Sequence, residues 1–489
     1  MTENKAFSGM LPFVVVLVLA LVFLLPGEPC EGCFSIVVGK GASVDGQVIV
    51  AHNEDDQPPQ IVNHYKIRRK EHAPGEKVKL RNGGQLDQVL QTWAYIWSEM
   101  PGMLFSDSYI NEWGVCITSD NCPSREDKPQ ITDGGIGYML RRLVAERART
   151  ARDGVLLAGR LVERFGYIDS GRTYIICDPD EGWLFCVVNG KHWLAKRVAD
   201  EEVAMVANTF TIRQADLSDR DNFLASEDII TYAVSRGWYN PQEDGPFDFA
   251  VVYANPESAS SWSNFGRQWG GLQYVVAEPI PLGQELPFSV VPRQRMSAAQ
   301  IMQILRHDYG QAQIQPSSSE KNSLQKSCPI CSGATQTSFV VQLRRSMPLD
   351  IGIVYWMCLA SPRTSFYIPF HFGISDFPAG FSSKSQRPSD SFYYSKVSSA
   401  FQADPLQAFW TFSNFRNKVE GSSPKRLESA KAWAGRIEKN AFSMQKPLEE
   451  AACRVYGQNK TTAMQMLVDY SNGIYLSSME AMATVLSEK

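Results

Sequence analysis

The chain has 489 residues, 44% of them apolar and 20% charged, with a net charge of −4. Such a composition folds, and its charge gives no reason to expect nucleic acid or an anionic membrane surface as a partner. Ten cysteines in this length do not make a disulfide scaffold, and their pairing cannot be read from sequence.

The N-terminus carries an uncharged run, LPFVVVLVLALVFLL, from Leu11 to Leu25. At about 15 residues it is short of the ~20 that span a bilayer and suits the apolar region of a signal peptide. Residues 1–32 therefore read as a leader, either a signal peptide or an uncleaved signal anchor, and the body as exported. Cys30 and Cys33 lie at its end in PGEPCEGCFSIVVG. Directly after Cys33, FSIVVG has strand length. Asp45-Gly46 is a turn signal, and QVIVAHNEDD follows as a second strand, so the pair reads as a hairpin.

A charged, loop-rich stretch (KIRRKEHAPGEKVK) leads to a strand at TWAYIWS. LFSDSYINEWGVCITSDN reads as another hairpin, turning at Asn111-Glu112-Trp113-Gly114. From about residue 134 to 165 the apolar period becomes helical, with arginines on a solvated face. RTYIICDPDEGWLFCVVNGKHWLAKRV returns to strands. MSAAQIMQILRHDYG is a helix with a serine N-cap. A polar stretch at 311–328 precedes SFVVQLRRSMPLDIGIVYWMCLASPRTSFYIPFHFGI, again β-rich. From about 404 onward the pattern is mainly helical. Hairpins interleaved with helices favour an antiparallel α+β body over a parallel, doubly wound one.

Several common chemistries are absent from the sequence. It has no G-x-S-x-G, H-E-x-x-H, Walker loop or G-x-G-x-x-G. The six histidines, His52, His64, His72, His192, His307 and His371, are scattered. Two C-x-x-C pairs occur, Cys30/Cys33 and Cys328/Cys331. Four zinc thiolates could come from them, but their separation is unlike a compact zinc module. A disulfide or inert thiols is the plainer reading of CPIC.

Cleavage between Gly32 and Cys33 would leave small residues at −3 and −1, which signal peptidase tolerates. Cys33 would then carry a free α-amine with an ordinary pKa of about 8. That amine can take the thiol proton, so one residue supplies nucleophile and base. Around it, Cys33-Phe-Ser-Ile-Val-Val-Gly-Lys-Gly-Ala-Ser-Val-Asp-Gly and Ala-His-Asn-Glu-Asp resemble the start of the dipeptidase A and secernin family. These are cysteine dipeptidases of the N-terminal nucleophile hydrolase superfamily. The resemblance continues through INEWGVCITSDN, KHWLAKRV…VAMVANTFTI and SFYIPFHFGI into the C-terminal helical region.

The resemblance implies a four-layer αββα sandwich, two antiparallel sheets flanked by helices. It implies a catalytic domain over 33–400 and a helical region over 401–489 packed on the same body. It further implies hydrolysis of dipeptides with a free N-terminus through a thioester on Cys33, without metal or cofactor. By the same resemblance Asp55 orients the nucleophile's amine and thiol, Asn121 donates to an oxyanion, Asn208 donates to an oxyanion or contacts the amine, and His52 contacts substrate. His52 stands where the family often has arginine, which puts a fixed positive charge beside Cys33 in question.

Two other readings stay open. One is an N-acyl amide hydrolase of the same superfamily, cleaving bile-salt or penicillin side chains. The other is a non-catalytic lipoprotein lipidated at Cys33, against which the bulky Glu31 argues. Expected partners are short peptides and no nucleic acid. A membrane enters only through a retained leader, and a homo-oligomer stays open. Asn459-Lys460-Thr461 is a glycosylation sequon, meaningful only in a glycosylating host.

Overall fold

A computed structural model describes residues 32–56, 60–101, 106–308, 328–382 and 402–488. The N-terminal apolar run, Cys30 and nearly all of the polar stretch 311–328 lie outside the described residues. Among those described, the strands of two large sheets are, in chain order, β1 (Phe34–Val38), β2 (Val48–Asp55), β3 (Asn63–Ile67), β4 (Tyr95–Glu99) and β5 (Ser106–Asn111). There follow β6 (Cys116–Asn121), β7 (Tyr167–Cys177), β8 (Gly182–Gly190), β9 (Trp193–Val198) and β10 (Val203–Val206). The last are β11 (Phe223–Ala225), β12 (Ser289–Val290), β13 (Thr335–Leu343), β14 (Ile353–Leu359) and β15 (Ile368–His371).

The first sheet has the order β12-β10-β1-β2-β13-β14-β15, the second β11-β9-β8-β7-β6-β5-β4-β3. The pairings within both are antiparallel. Both expected hairpins form. β1 and β2 pair with Ser35 opposite His52, and β5 and β6 join through Gly114, whose φ of +86° suits a residue without Cβ. β1 lies centrally and is buried on both faces. That is why FSIVV reads as a continuous apolar run rather than a strict alternation. Each of its large apolar side chains contributes roughly 1.5–3 kcal/mol by leaving water.

The two sheets pack face to face. Ser98 of β4 shares a 2.8 Å hydrogen bond with Tyr355 of β14, and Ser35 of β1 reaches Asp120 of β6. Helices cover both outer faces. The helical period read over about 134–165 forms two helices, α1 (Met139–Arg147) and α2 (Ala151–Phe165). Ala148 and Thr150 are extended between them. The Thr150 hydroxyl accepts from the Asp153 amide at 3.1 Å, an N-cap that restarts the helix. Both helices lie on the second sheet.

On the first sheet lie α3 (Trp262–Gln273), α4 (Ala298–Leu305), α5 (Ala408–Glu420) and α7 (Lys460–Ser487), with α6 (Pro424–Tyr456) packed along α7. The serine N-cap expected at Ser297 completes a capping box with Gln300. The result is a four-layer αββα sandwich. Phe409, Phe412, Phe415 and Ile474 of the C-terminal helices share one apolar cluster with Phe339, Trp356 and Phe370 of the first sheet. No helix among the described residues is long and apolar enough to cross a membrane.

Candidate active site

The pleat of the first hairpin decides what meets what. The register runs Phe34–Asn53, Ser35–His52, Ile36–Ala51. Continued by one residue, it sets Cys33 beside Glu54 at the strand ends. Alternation then puts Cys33, Ser35, His52 and Glu54 on the face turned toward the second sheet. There the Ser35 hydroxyl donates to Asp120 Oδ2 at 2.5 Å, and the His52 ring meets Asp107 of β5. The opposite face is structural: Asn53 Nδ2 donates to the carbonyls of Leu305 and Ile330, both at 2.9 Å.

At the end of this hairpin opens a cavity of about 540 Å³, lined by Cys33, Asp55, Asn121, Asn208 and Arg172 among others. Its size is ordinary for a small-molecule site. Four of the five residues expected from sequence thus line one cavity. His52 does not. Its side chain is fully buried behind Cys33, with Nε2 3.0 Å from Glu54 Oε2 and 3.4 Å from Asp107 Oδ1.

Cys33 is nearly buried, its Sγ 3.8 Å from the Asp55 carbonyl. Burial, then the charges of Glu54, Asp120 and Asp55, push its thiol pKa well above the usual value. Asp55 accepts from the Ser332 hydroxyl at 2.7 Å through Oδ2. Its Oδ1 is buried without a hydrogen-bond partner. Burial lifts its pKa to about 7, against the lowering pull of Thr335, Ser332 and Arg267.

Asn121 is the exposed last residue of β6. Its Oδ1 accepts from Ser170 at 3.1 Å, which turns its NH₂ end away from that serine. Asn208 follows β10 at φ +52°, a left-handed conformation that asparagine adopts more readily than most residues. Its Nδ2 donates to the Asn121 carbonyl at 2.8 Å, so the two asparagines form one wall.

Arg267 carries no signal in the sequence, yet it holds the site together. This fully buried side chain of α3 donates through Nη1 to the carbonyls of Gly32 and Cys33 and, at 3.0 Å, to Asn208 Oδ1. Its Nη2 donates to Asn264 Oδ1 at 2.8 Å. A Cβ on Gly32 would lie 2.4 Å from that Nη2, so a larger residue there would have to displace the guanidinium. Glu54, Asp107 and Asp120 also escape a motif-based reading. Acidic residues inside strands (SDSYIN, ITSDN) were the available signal, since an unpaired charge is rarely buried without a purpose.

Burial alone would raise the pKa of Glu54, but the His52 hydrogen bond and the charges of His52, Arg141 and Arg172 outweigh it and hold it low. Asp107 is raised to about 7 by burial, and Asp120 is raised for the same reason. Potential ligand atoms of Cys33, His52 and Glu54 lie within 4.8 Å of one another. Both His52 nitrogens are already hydrogen-bonded, so the grouping is complete as a hydrogen-bonded cluster and is not assigned to a metal. Cys328 takes part in a disulfide while Cys331 is a free thiol, so CPIC is not paired within itself. A larger cavity of about 830 Å³ lies beside α6. Its buried acids Glu438 and Glu449 are paired with Arg306 and Arg344.

Comparison with known proteins gives the chain's family. The model of "Peptidase family C69" matches residues 32–420, beginning at Gly32. A "Probable dipeptidase B" of Streptococcus pyogenes serotype M1 is 24% identical over 390 residues, 75% of this chain and 77% of that protein. A "Probable dipeptidase" of Latilactobacillus sakei is 26% identical over 361 residues, 71% of this chain and 75% of that one. Another from Salmonella dublin is 26% identical over 366 residues, 71% and 82%. Among solved structures, a conjugated bile acid hydrolase from Clostridium perfringens overlays with a TM-score of 0.32 at 12% identity, covering 70% of this chain and 92% of that one.

Proposed function

The chain belongs to peptidase family C69, and on that premise we propose that it is an exported dipeptidase whose nucleophile is Cys33, acting once the chain begins at that residue. The observation that carries this reading is the junction itself. The Gly32–Cys33 peptide sits at a cavity, its two carbonyls bound by Arg267. Beside it lies a carboxylate, Asp55, with one buried oxygen unsatisfied. Leaving such an acceptor unpaired costs about 1–3 kcal/mol. A free Cys33 ammonium is the donor it lacks.

In the reaction the Cys33 thiol gives its proton to the α-amine, and Sγ bonds the carbonyl carbon of the substrate. The oxygen gains charge in the tetrahedral state. The NH₂ ends of Asn121 and Asn208 are the donors available on that wall. Collapse of this state passes the proton to the leaving amine, and water then hydrolyses the thioester. Asp55 fixes the amine and, as a carboxylate, raises its basicity.

The cavity wall supports a substrate with a free N-terminus. Glu54, Asp55, Asp56, Asp169 and Glu257 face a single cation, Arg172, among its lining residues, and Arg172 is itself paired with Asp169 at 3.2 Å. Excess negative charge attracts an α-ammonium.

The test is direct. Cys33→Ala should abolish dipeptide hydrolysis while the far-ultraviolet dichroism stays that of the parent. Intact-mass analysis of active enzyme should place its N-terminus at Cys33, free and unmodified. Residual turnover in the variant, or an active enzyme still carrying residues 1–32, removes the proposal.

A further inference from the structure

His52 has two ring nitrogens, and each meets an oxygen. Nδ1 lies 2.8 Å from Ser35 Oγ, and Nε2 lies 3.0 Å from Glu54 Oε2. A hydroxyl has one hydrogen. Ser35 spends its own on Asp120 Oδ2 at 2.5 Å. Toward His52 the serine oxygen can then only accept, so Nδ1 carries a hydrogen. Glu54 is a carboxylate acceptor, so Nε2 carries another. A ring that donates from both nitrogens is an imidazolium.

We propose that His52 is a fixed buried cation, a positioning residue that holds Glu54 and Asp120 as carboxylates and offsets their charge at Cys33. The proposal rests on the reading of Cys33 as nucleophile and adds to it the source of the positive charge beside the thiol.

The surroundings of the ring are consistent on every side. From its own strand comes Glu54, and from β1 come Ser35 and Cys33. From β5 comes Asp107 at 3.4 Å, and from β6 comes Asp120 through Ser35. β13 offers only the Phe339 ring, 5.7 Å away. Further out, Arg141 and Arg172 act on Glu54, and Arg267 acts on Asp120. Burial favours a neutral ring. The Glu54 hydrogen bond and the charges of Asp107, Asp120 and Glu54 win, and the pKa rises to about 9.

The consequence falls on the thiol. Glu54, Asp120 and Asp55 each disfavour a thiolate at Cys33. A neutral residue at 52 would leave them opposed only by the charges of Arg141, Arg172 and Arg267. Each unit added to the thiol pKa means roughly tenfold less thiolate. Since the ring lies off the cavity wall, the loss should appear in kcat rather than KM.

Two measurements on the full chain decide the matter. The first is made on the parent protein, with a variant only to assign the signal: ring ¹⁵N shifts of histidine-labelled protein at pH 7.5. His64 and His307 are held neutral by burial, with pKa values pushed down to about 3 and about 4. A ring protonated on both nitrogens that loses its charge only near pH 9, and that disappears in His52→Gln, is the expected result. A neutral His52, with the proton on Asp120 instead, overturns the proposal. The second is the rate of Cys33 alkylation by iodoacetamide, followed by intact mass, alongside kcat. His52→Gln should lower both at least tenfold with KM little changed, and His52→Arg should restore most of the loss. A glutamine variant that folds and alkylates at the parental rate also overturns it. Both primary readouts are independent of turnover. A charged His52 in a protein that hydrolyses no dipeptide would count against the dipeptidase reading and leave the charge assignment standing.

Discussion

The molecule contains the same buried pair twice. Behind Cys33, His52 Nε2 meets Glu54 at 3.0 Å; against α6, His371 Nε2 meets Glu449 at 2.9 Å. Both rings are fully buried, yet His52 is pushed up to about 9 while burial drives His371 below the usual value. The difference lies in what else faces each carboxylate. Arg344 grips Glu449 with both guanidinium arms at 2.6 Å. Gln445 adds a third hydrogen bond at 2.9 Å. Glu449 is already paired, with its pKa lowered to about 2 despite burial, and its pull on the histidine is outweighed by burial and opposed by the Arg344 charge. Around His52 the acids outnumber their partners, and Asp107 has no hydrogen bond at either oxygen. A closed network serves stability. An open one stores charge where a reaction can use it.

The most severe way to break this contrast is to open the closed network. Arg344→Met should leave Glu449 buried with a neutral histidine for company. Removing one partner of such a pair costs about 3–5 kcal/mol. Thermal unfolding should show a large fall in Tm. Unfolding with the parental Tm would mean that the network contributes nothing and that the contrast is one of geometry alone.

A milder test uses pH on the unaltered protein. The folded pKa of His52, about 9, lies above its unfolded value of 6.5. Its contribution is therefore complete below about pH 6.5 and is lost as pH rises through 9, a change on the order of 3 kcal/mol. Glu449 has the opposite sign. Its folded pKa of about 2 lies below the ordinary 4.5, so its contribution is present above about pH 4.5 and is lost as pH falls through 2. Urea unfolding from pH 6.5 to 10 should show the alkaline loss in the parent and a flatter line in His52→Gln. Equal slopes in the two would place the alkaline titration on some other group.

The sequence makes one half of this site legible and hides the other. Cys33, FSIVVG and QVIVAHNED lie on adjacent strands of one hairpin, so turn chemistry and an apolar run suffice to bring Cys33 and Asp55 together. Asn121 is readable because INEWGVCITSDN is a hairpin with its own turn signal. Asp107 and Asp120 are not, because a strand pattern says which residues share a face but not which sheet that face will meet. Arg267 lies in SNFGRQWGGLQ, a stretch with no catalytic signature. Its role comes from a fold contact more than two hundred residues distant in sequence. The helical period over 134–165 is legible but the break inside it is not, because Thr150 caps a second helix while the periodic pattern continues across the break. His52 stands out in the sequence as the unusual residue, but its burial behind the thiol depends on the second sheet.

The smallest expected effect is the most discriminating. Asp107 touches His52 only through charge, at 3.4 Å, and burial raises its pKa to about 7. Asp107→Asn would remove one of the acids that keep the ring protonated while leaving the Glu54 and Ser35 hydrogen bonds in place. Removing a buried carboxylate that makes no hydrogen bond relieves a desolvation penalty, so Tm should hold or rise slightly. The His52 titration should move to lower pH, by about one unit or less, and the alkaline limb of kcat should move with it. A plain loss of packing would lower Tm and leave the ring titration where it was. A variant that is at least as stable as the parent and loses activity earlier on the alkaline side would separate charge from structure at this site. The matching change at the closed network, Gln445→Ala, should shift neither limb.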